Sequence, residues 1–108
     1  MKRTYHKLVR DRIPQIIRAG GGSCKTRTLE PGEYMALLEE KLSEELAEYQ
    51  ESKSLEELAD LLEVMEAVVC ARGSTWQELI AIKEAKKAQR GGFEKRILLT
   101  EVTQKEKA

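Results

Sequence analysis

A chain of 108 residues, 41% hydrophobic and 35% charged with few aromatics, has the length of one domain with a modest core and the composition of a small helical protein. It carries no signal-peptide pattern and no apolar run of membrane-spanning length, so the cytoplasm is the expected compartment. The net charge is zero but segregated. Residues 33–66 hold twelve acids and two bases, and the remainder carries the opposite excess. An acidic centre between basic ends suits a metal ion plus an anionic ligand, or ends that neutralise the middle within or between subunits.

In chain order, the first nineteen residues are basic. Tyr5, Leu8 and Val9 read as a short extended anchor. Asp11 opens a short helix with Pro14 in its first turn, where a missing N–H does no harm, and Ile13, Ile16 and Ile17 as its buried side. Gly20-Gly21-Gly22 ends it. That run lacks the flanking strand, helix and lysine of a phosphate-binding loop and reads as a connector. Residues 23–30 alternate weakly, as a strand or a loop.

Pro31 opens the first long helix, which runs to about Glu51 with Glu33 in its first turn. Ser52-Lys53-Ser54 is a turn, with Ser54 placed to cap a second helix from Leu55 to about Arg72, which Gly73 stops. Leu38, Leu42, Leu46 and Tyr49 recur at helical spacing on the first helix, and Leu55, Leu58, Leu62, Met65 and Val69 on the second. Leu61, Val64 and Val68 fall outside that narrow stripe, so a second copy is expected to cover them, in a homodimer or a larger homo-oligomer. Cys70 closes the apolar run and is expected as a buried thiol. Nothing implies a disulfide framework.

The hairpin has a consequence for its acids. In an antiparallel pair, positions equidistant from the turn lie level. Glu48 therefore faces the level of Glu57, and Glu45 that of Asp60. The two levels are three residues apart, roughly 4.5 Å along the axis, and each intrahelical pair shares a face. If all four point into the groove, they repel one another and resist ionisation, and a hard divalent cation relieves the conflict. All-oxygen ligands suit Mg²⁺ or Mn²⁺ rather than zinc. Two other readings compete: a solvated acidic face, and a capping box in which the Glu57 side chain serves the backbone of Ser54.

Ser74-Thr75-Trp76-Gln77 fits another capping box and starts a third helix carrying Trp76, Leu79, Ile80 and Ile82. Further on, Lys83, Lys86 and Arg90 make one basic face with Lys87 beside it, ending at Gly91-Gly92. This face reads as a phosphate grip or as surface that pairs with the acidic helices. Phe93, Ile97, Leu98, Leu99 and Val102 read as a short terminal strand or an apolar clasp, and residues 103–108 as a frayed tail. His6, the single histidine, has no nucleophile to serve.

Three stretches together resemble a known family. Lys41-Leu42-Ser43-Glu44-Glu45-Leu46-Ala47-Glu48 followed by Glu57-Leu58-Ala59-Asp60 is similar to the signature of the all-α nucleoside triphosphate pyrophosphatases of the MazG type. Lys7-Leu8-Val9-Arg10-Asp11-Arg12-Ile13-Pro14 and Arg90-Gly91-Gly92-Phe93 resemble its phosphoribosyl-ATP pyrophosphohydrolase-like "house-cleaning" branch. The resemblance covers most of residues 5–100. It implies a single all-α domain over residues 1–108, built on the acidic hairpin and completed by oligomerisation. It also implies Mg²⁺ and cleavage between the α and β phosphates of a nucleotide, giving a monophosphate and pyrophosphate. Glu45, Glu48, Glu57 and Asp60 match the family's metal ligands and Glu44 its additional acid, which would orient or deprotonate the attacking water. Lys7, Arg10, Lys83, Lys86 and Arg90 would hold the phosphate chain, with Gly91 and Gly92 allowing close backbone approach. The eight residues between Glu48 and Glu57 are fewer than the family's usual gap. From other classes come a non-catalytic helical regulatory or partner-binding module and, weaker still, a nucleic-acid binder. The latter lacks interleaved aromatics, and the acidic centre would repel phosphates.

Overall fold

The computed structural model of the chain describes residues 6–105. The described residues are all-helical, with four helices and no strand: α1 (Ile13–Ala19), α2 (Pro31–Ser52), α3 (Leu55–Ala71) and α4 (Trp76–Arg90). The chain divides into two compact units, residues 1–76 and 77–108. Tyr5 and residues 106–108 of the expected tail lie outside the described residues.

The first unit is organised by the α2–α3 hairpin. Pro31 sits in the first turn of α2 with Glu33 beside it, where a missing N–H costs nothing and a carboxylate meets the positive end of the helix dipole. The helix runs one residue beyond the expected end, through Ser52, so the turn is only Lys53-Ser54. Lys53 adopts the left-handed conformation, φ 59°, and its N–H donates to the Tyr49 carbonyl. Its ammonium lies over the Tyr49 ring, 5.8 Å from the centroid. Gly73, at φ 82°, follows the end of α3 as expected, and its N–H donates to the Cys70 carbonyl.

The packed face of α3 differs from the expected stripe. Leu61, Val64, Ala67 and Val68 are half-buried, whereas of the expected stripe only Val69 is half-buried and Leu55, Leu58, Leu62 and Met65 are 81%, 39%, 49% and 37% exposed. The reason is angular. Leu61 and Val64 lie one helical turn beyond Glu57 and Asp60 and share their face, while Leu58 and Leu62 are rotated about 100° from it. Turning the acids inward therefore turns Leu61, Val64 and Val68 inward too. On α2, Leu38 and Leu42 share the face of Glu45, and Leu46, one position on, is exposed. Leu38 is the sole buried hydrophobic among the described residues, at 3% exposure. Cys70 is exposed rather than buried, because it lies two positions past Val68, on the far side of α3. Both cysteines are free thiols.

Toward the open end of the hairpin, Arg72 Nη2 meets Glu39 Oε1 at 2.9 Å. Residues 23–30 are irregular, not a strand. Arg27 ties them to the start of α2 by a bidentate pair with Glu33, 3.0 and 2.9 Å. Ile16 and Ile17, expected on a buried side of α1, are exposed, and Ile13 is half-buried.

In the second unit, α4 ends at Arg90 and is followed by Gly91, whose φ is 83°. Residues 93–102 form no strand and no clasp within this unit. Phe93, Ile97, Leu98, Leu99 and Val102 are all exposed, Phe93 at 96%. No helix among the described residues is long and apolar enough to cross a membrane.

The two halves of the expected capping box come apart. Ser54 Oγ accepts from the Glu57 N–H at 3.3 Å. The reciprocal bond, from the Ser54 N–H, goes to Ser52 Oγ at 3.2 Å, not to the Glu57 carboxylate. Ser54→Ala should therefore cost about 1 kcal/mol of stability. Glu57→Gln should not share that loss. Denaturant unfolding of the two variants checks both outcomes.

Candidate metal centre

Five carboxylates gather where α2 faces the first turns of α3. One oxygen each from Glu44, Glu45 and Glu48 lies within 4.8 Å of the others, and the same holds for Glu45, Glu57 and Asp60. Glu45 belongs to both groups, so it is the hinge of the cluster. The levels read from the hairpin persist: Asp60 acts electrostatically on Glu45, and Glu48 on Glu57. Oxygens on opposite sides of a Mg²⁺ ion are about 4.2 Å apart, so either group has the spacing to hold a divalent cation after small side-chain rotations.

An acidic cluster alone is an ordinary surface feature, but burial distinguishes this one. Glu45 is only 7% exposed. Its Oε2 is buried with no hydrogen-bond partner, and so is Oε2 of Glu57. A buried carboxylate oxygen left unpaired costs roughly 1–3 kcal/mol or more. Its natural complement is a cation inside the cluster. The ligand set is all oxygen, suited to a hard ion.

The electrostatics divide the acids by role. Burial pushes the Glu45 carboxyl up, and the neighbouring Glu48 carboxylate pushes it further. Glu57 is also raised, first by burial and then by the charges of Glu48 and Asp60. Glu44 goes the other way. Burial pushes it up, but the hydrogen bond from Lys7 and the charges of Lys41 and Lys7 together outweigh that and hold it below the usual carboxylate range. Lys7 Nζ lies 3.3 Å from Glu44 Oε1 and is raised by that hydrogen bond. Arg10 Nη2 reaches Asp60 Oδ1 at 2.6 Å. Lys7 and Arg10 are thus brought to the acids, not held apart from them.

Lys41 has a place here that sequence reasoning assigned to no role. Its ammonium is 3.5 Å from both Glu44 Oε1 and Glu45 Oε1, and its side chain is only 16% exposed. The available signal was its spacing, three and four residues before two consecutive acids on one helix.

The remaining candidates lie in the second unit. Lys83, Lys87, Gly91 and Gly92 line one open concavity with Phe93 and Glu94, while Lys86 and Arg90 are exposed on α4. The Glu94 carboxylate lies close against Gly92, within 2.5 Å of where a Cβ would stand. Lys83 pairs with Glu84 at 3.3 Å.

Comparison with known proteins adds one relative. A stretch of 42 residues, 39% of this chain, is 57% identical to a protein of Mycolicibacterium smegmatis described as an uncharacterized protein, and spans 43% of that relative's length. No family model matches the chain, and no solved structure matches it.

The raised carboxyls have a signed consequence. Glu45 and Glu57 bind protons more tightly folded than unfolded, so the stability they contribute is present below the ordinary carboxylate pKa and lost as pH rises through their folded values. Glu44, with a lowered value, loses its contribution only as pH falls below the ordinary range. The melting temperature of metal-free protein should therefore rise as pH is lowered from 7 to about 5, and Glu45→Gln should flatten that slope. Scanning calorimetry across pH in the presence of a chelator checks it.

Proposed function

We propose that the protein is a Mg²⁺-dependent nucleoside triphosphate pyrophosphohydrolase of the MazG type, cleaving between the α and β phosphates to give a nucleoside monophosphate and pyrophosphate and so removing non-standard nucleotides. The observation that carries the reading is the buried, unpartnered Oε2 of Glu45 between two groups of converging carboxylates. The motif resemblance across residues 41–60 supplies the reaction class.

In this reading Glu45, Glu48, Glu57 and Asp60 hold the ion, with Mn²⁺ able to replace Mg²⁺. When bound, it would polarise phosphate oxygens and lower the pKa of water. The chain's own groups do the rest. Glu44 is kept ionised by Lys41 beside it on α2, so its carboxylate is an acceptor that orients or deprotonates the attacking water. Lys41 holds Glu44 and Glu45 in place. Arg10 and Lys7 offer a guanidinium and an ammonium to phosphate oxygens. For Lys83, Lys86, Arg90, Gly91 and Gly92 a phosphate-binding role rests on the basic face of α4 and on the resemblance alone.

The catalytic and metal roles separate experimentally. Glu57→Gln and Asp60→Asn should abolish both the rise in melting temperature on adding Mg²⁺ and the release of pyrophosphate. Glu44→Gln should keep the metal-induced rise and lose about 100-fold or more in kcat. A screen of nucleoside triphosphates with pyrophosphate detection, run beside thermal shifts, checks all three. A chain that binds the ion but turns over none of them is a regulatory or partner-binding module, a reading that the exposed Leu58, Leu62 and Met65 would also serve.

That exposed face, with Leu46, bears on assembly. Four large apolar side chains on a two-helix hairpin with one buried leucine call for cover. We propose that a second copy supplies it in a two-fold homodimer. Light scattering at tens of micromolar should give twice the chain mass, and Leu62→Lys should return the chain to a monomer. A monomeric wild-type chain would contradict this.

A further inference from the structure

We infer that Arg10 and Lys7 are internal stand-ins for the metal ion: they neutralise the carboxylate cluster in the metal-free protein and are displaced from it when a divalent cation binds. The inference rests on reading the cluster as a metal site and says how this chain keeps that site intact when it is empty of metal.

The geometry carries it. The two cations are three residues apart in one irregular segment, immediately before α1. They reach acids on two different helices, Lys7 to Glu44 of α2 and Arg10 to Asp60 of α3. The Arg10 contact, 2.6 Å across 50 residues of sequence, occupies Oδ1 of a residue whose carboxylate also belongs to the Glu45–Glu57–Asp60 group. A guanidinium in a short charge-assisted hydrogen bond and an ion at the same carboxylate compete for it. Yet the cations leave the innermost oxygens, Oε2 of Glu45 and Glu57, without partners. They neutralise the rim of the cluster and cannot satisfy its interior, which a small ion can reach.

The strength of the contacts suits exchange. The Lys7 and Arg10 side chains are exposed and those of Glu44 and Asp60 are partly so, at 37% and 43%, and solvent-accessible ion pairs are weak and reversible. Binding a divalent ion adds positive charge among the acids and removes the attraction that holds Arg10 and Lys7. Lys41 differs, because it sits on α2 itself beside Glu44 and Glu45 and is largely buried, so it stays. The freed guanidinium and ammonium remain tethered by the chain at the start of α1, beside the cluster and available to a phosphate that arrives with the ion.

The test is Mn²⁺ affinity by isothermal calorimetry, with melting temperature as a second readout that needs no catalysis. Arg10→Gln should bind Mn²⁺ about two- to fivefold more tightly than wild type, the equivalent of one exposed ion pair. It should melt about 2–4 °C lower without metal and at the wild-type temperature when saturated. Lys7→Gln should act in the same direction. Arg72→Gln removes the same charge from a pair with Glu39, outside the cluster, and should leave the affinity within twofold. Unchanged or weaker Mn²⁺ binding by Arg10→Gln overturns the exchange while leaving the metal site standing, and so does an equal gain in Arg72→Gln. A wild-type chain that takes up no Mn²⁺ overturns both the site and the exchange.

Discussion

A single carboxylate, that of Glu45, sets the terms for the hairpin. It is nearly the most buried side chain among the described residues, second to Leu38 on the same face of α2. An ionised group in that position is expensive to desolvate, and its neighbours Glu48 and Asp60 make it more so. A protein optimising stability alone would place leucine there. Keeping a glutamate, with one oxygen unpartnered, is the pattern of a site that trades stability for a ligand. The surrounding structure compensates in part: Lys41 contacts Glu45 Oε1 from one turn before it, and the Ser54 cap fixes the turn of α3 that presents Glu57 and Asp60.

The same constraint explains the core. Because Glu57 and Asp60 must face α2, their helical neighbours Leu61, Val64 and Val68 do as well, and Leu55, Leu58, Leu62 and Met65 of the other apolar stripe are left facing solvent. The site and the apolar face that remains are therefore two outcomes of one rotational choice. A hairpin with this arrangement has little core of its own, which is why assembly and metal binding enter as coupled expectations.

Much of this was legible in the residues. Pro31, Ser54 and Gly73 mark helix ends by mechanisms that act within one turn, so they survive whatever the rest of the chain does. The levels of Glu45 with Asp60 and Glu48 with Glu57 follow from a tight turn and a fixed helical rise. What was not legible depended on choices between equals. Both α3 stripes are apolar, and composition does not rank them; only the acids do, once their inward direction is taken seriously. The exposure of Cys70 has the same cause, since a run of Ala67-Val68-Val69-Cys70 has no built-in face. Lys41 and the reach of Arg10 to Asp60 are tertiary facts. One needs the helix geometry and the other joins residues 50 positions apart. The weak alternation of residues 23–30 lost to local polar contacts such as Arg27 with Glu33.

The central claim is that the buried carboxylate of Glu45 exists to hold an ion. The most direct measurement is a crystal structure grown with Mn²⁺ and recorded at a wavelength where manganese scatters anomalously. The account predicts an anomalous peak bonded to Glu45, with carboxylate oxygens of Glu57 and Asp60 around it at about 2.0–2.3 Å. A map with no peak there, in which a water or the Lys41 ammonium satisfies Glu45 Oε2 instead, would contradict it.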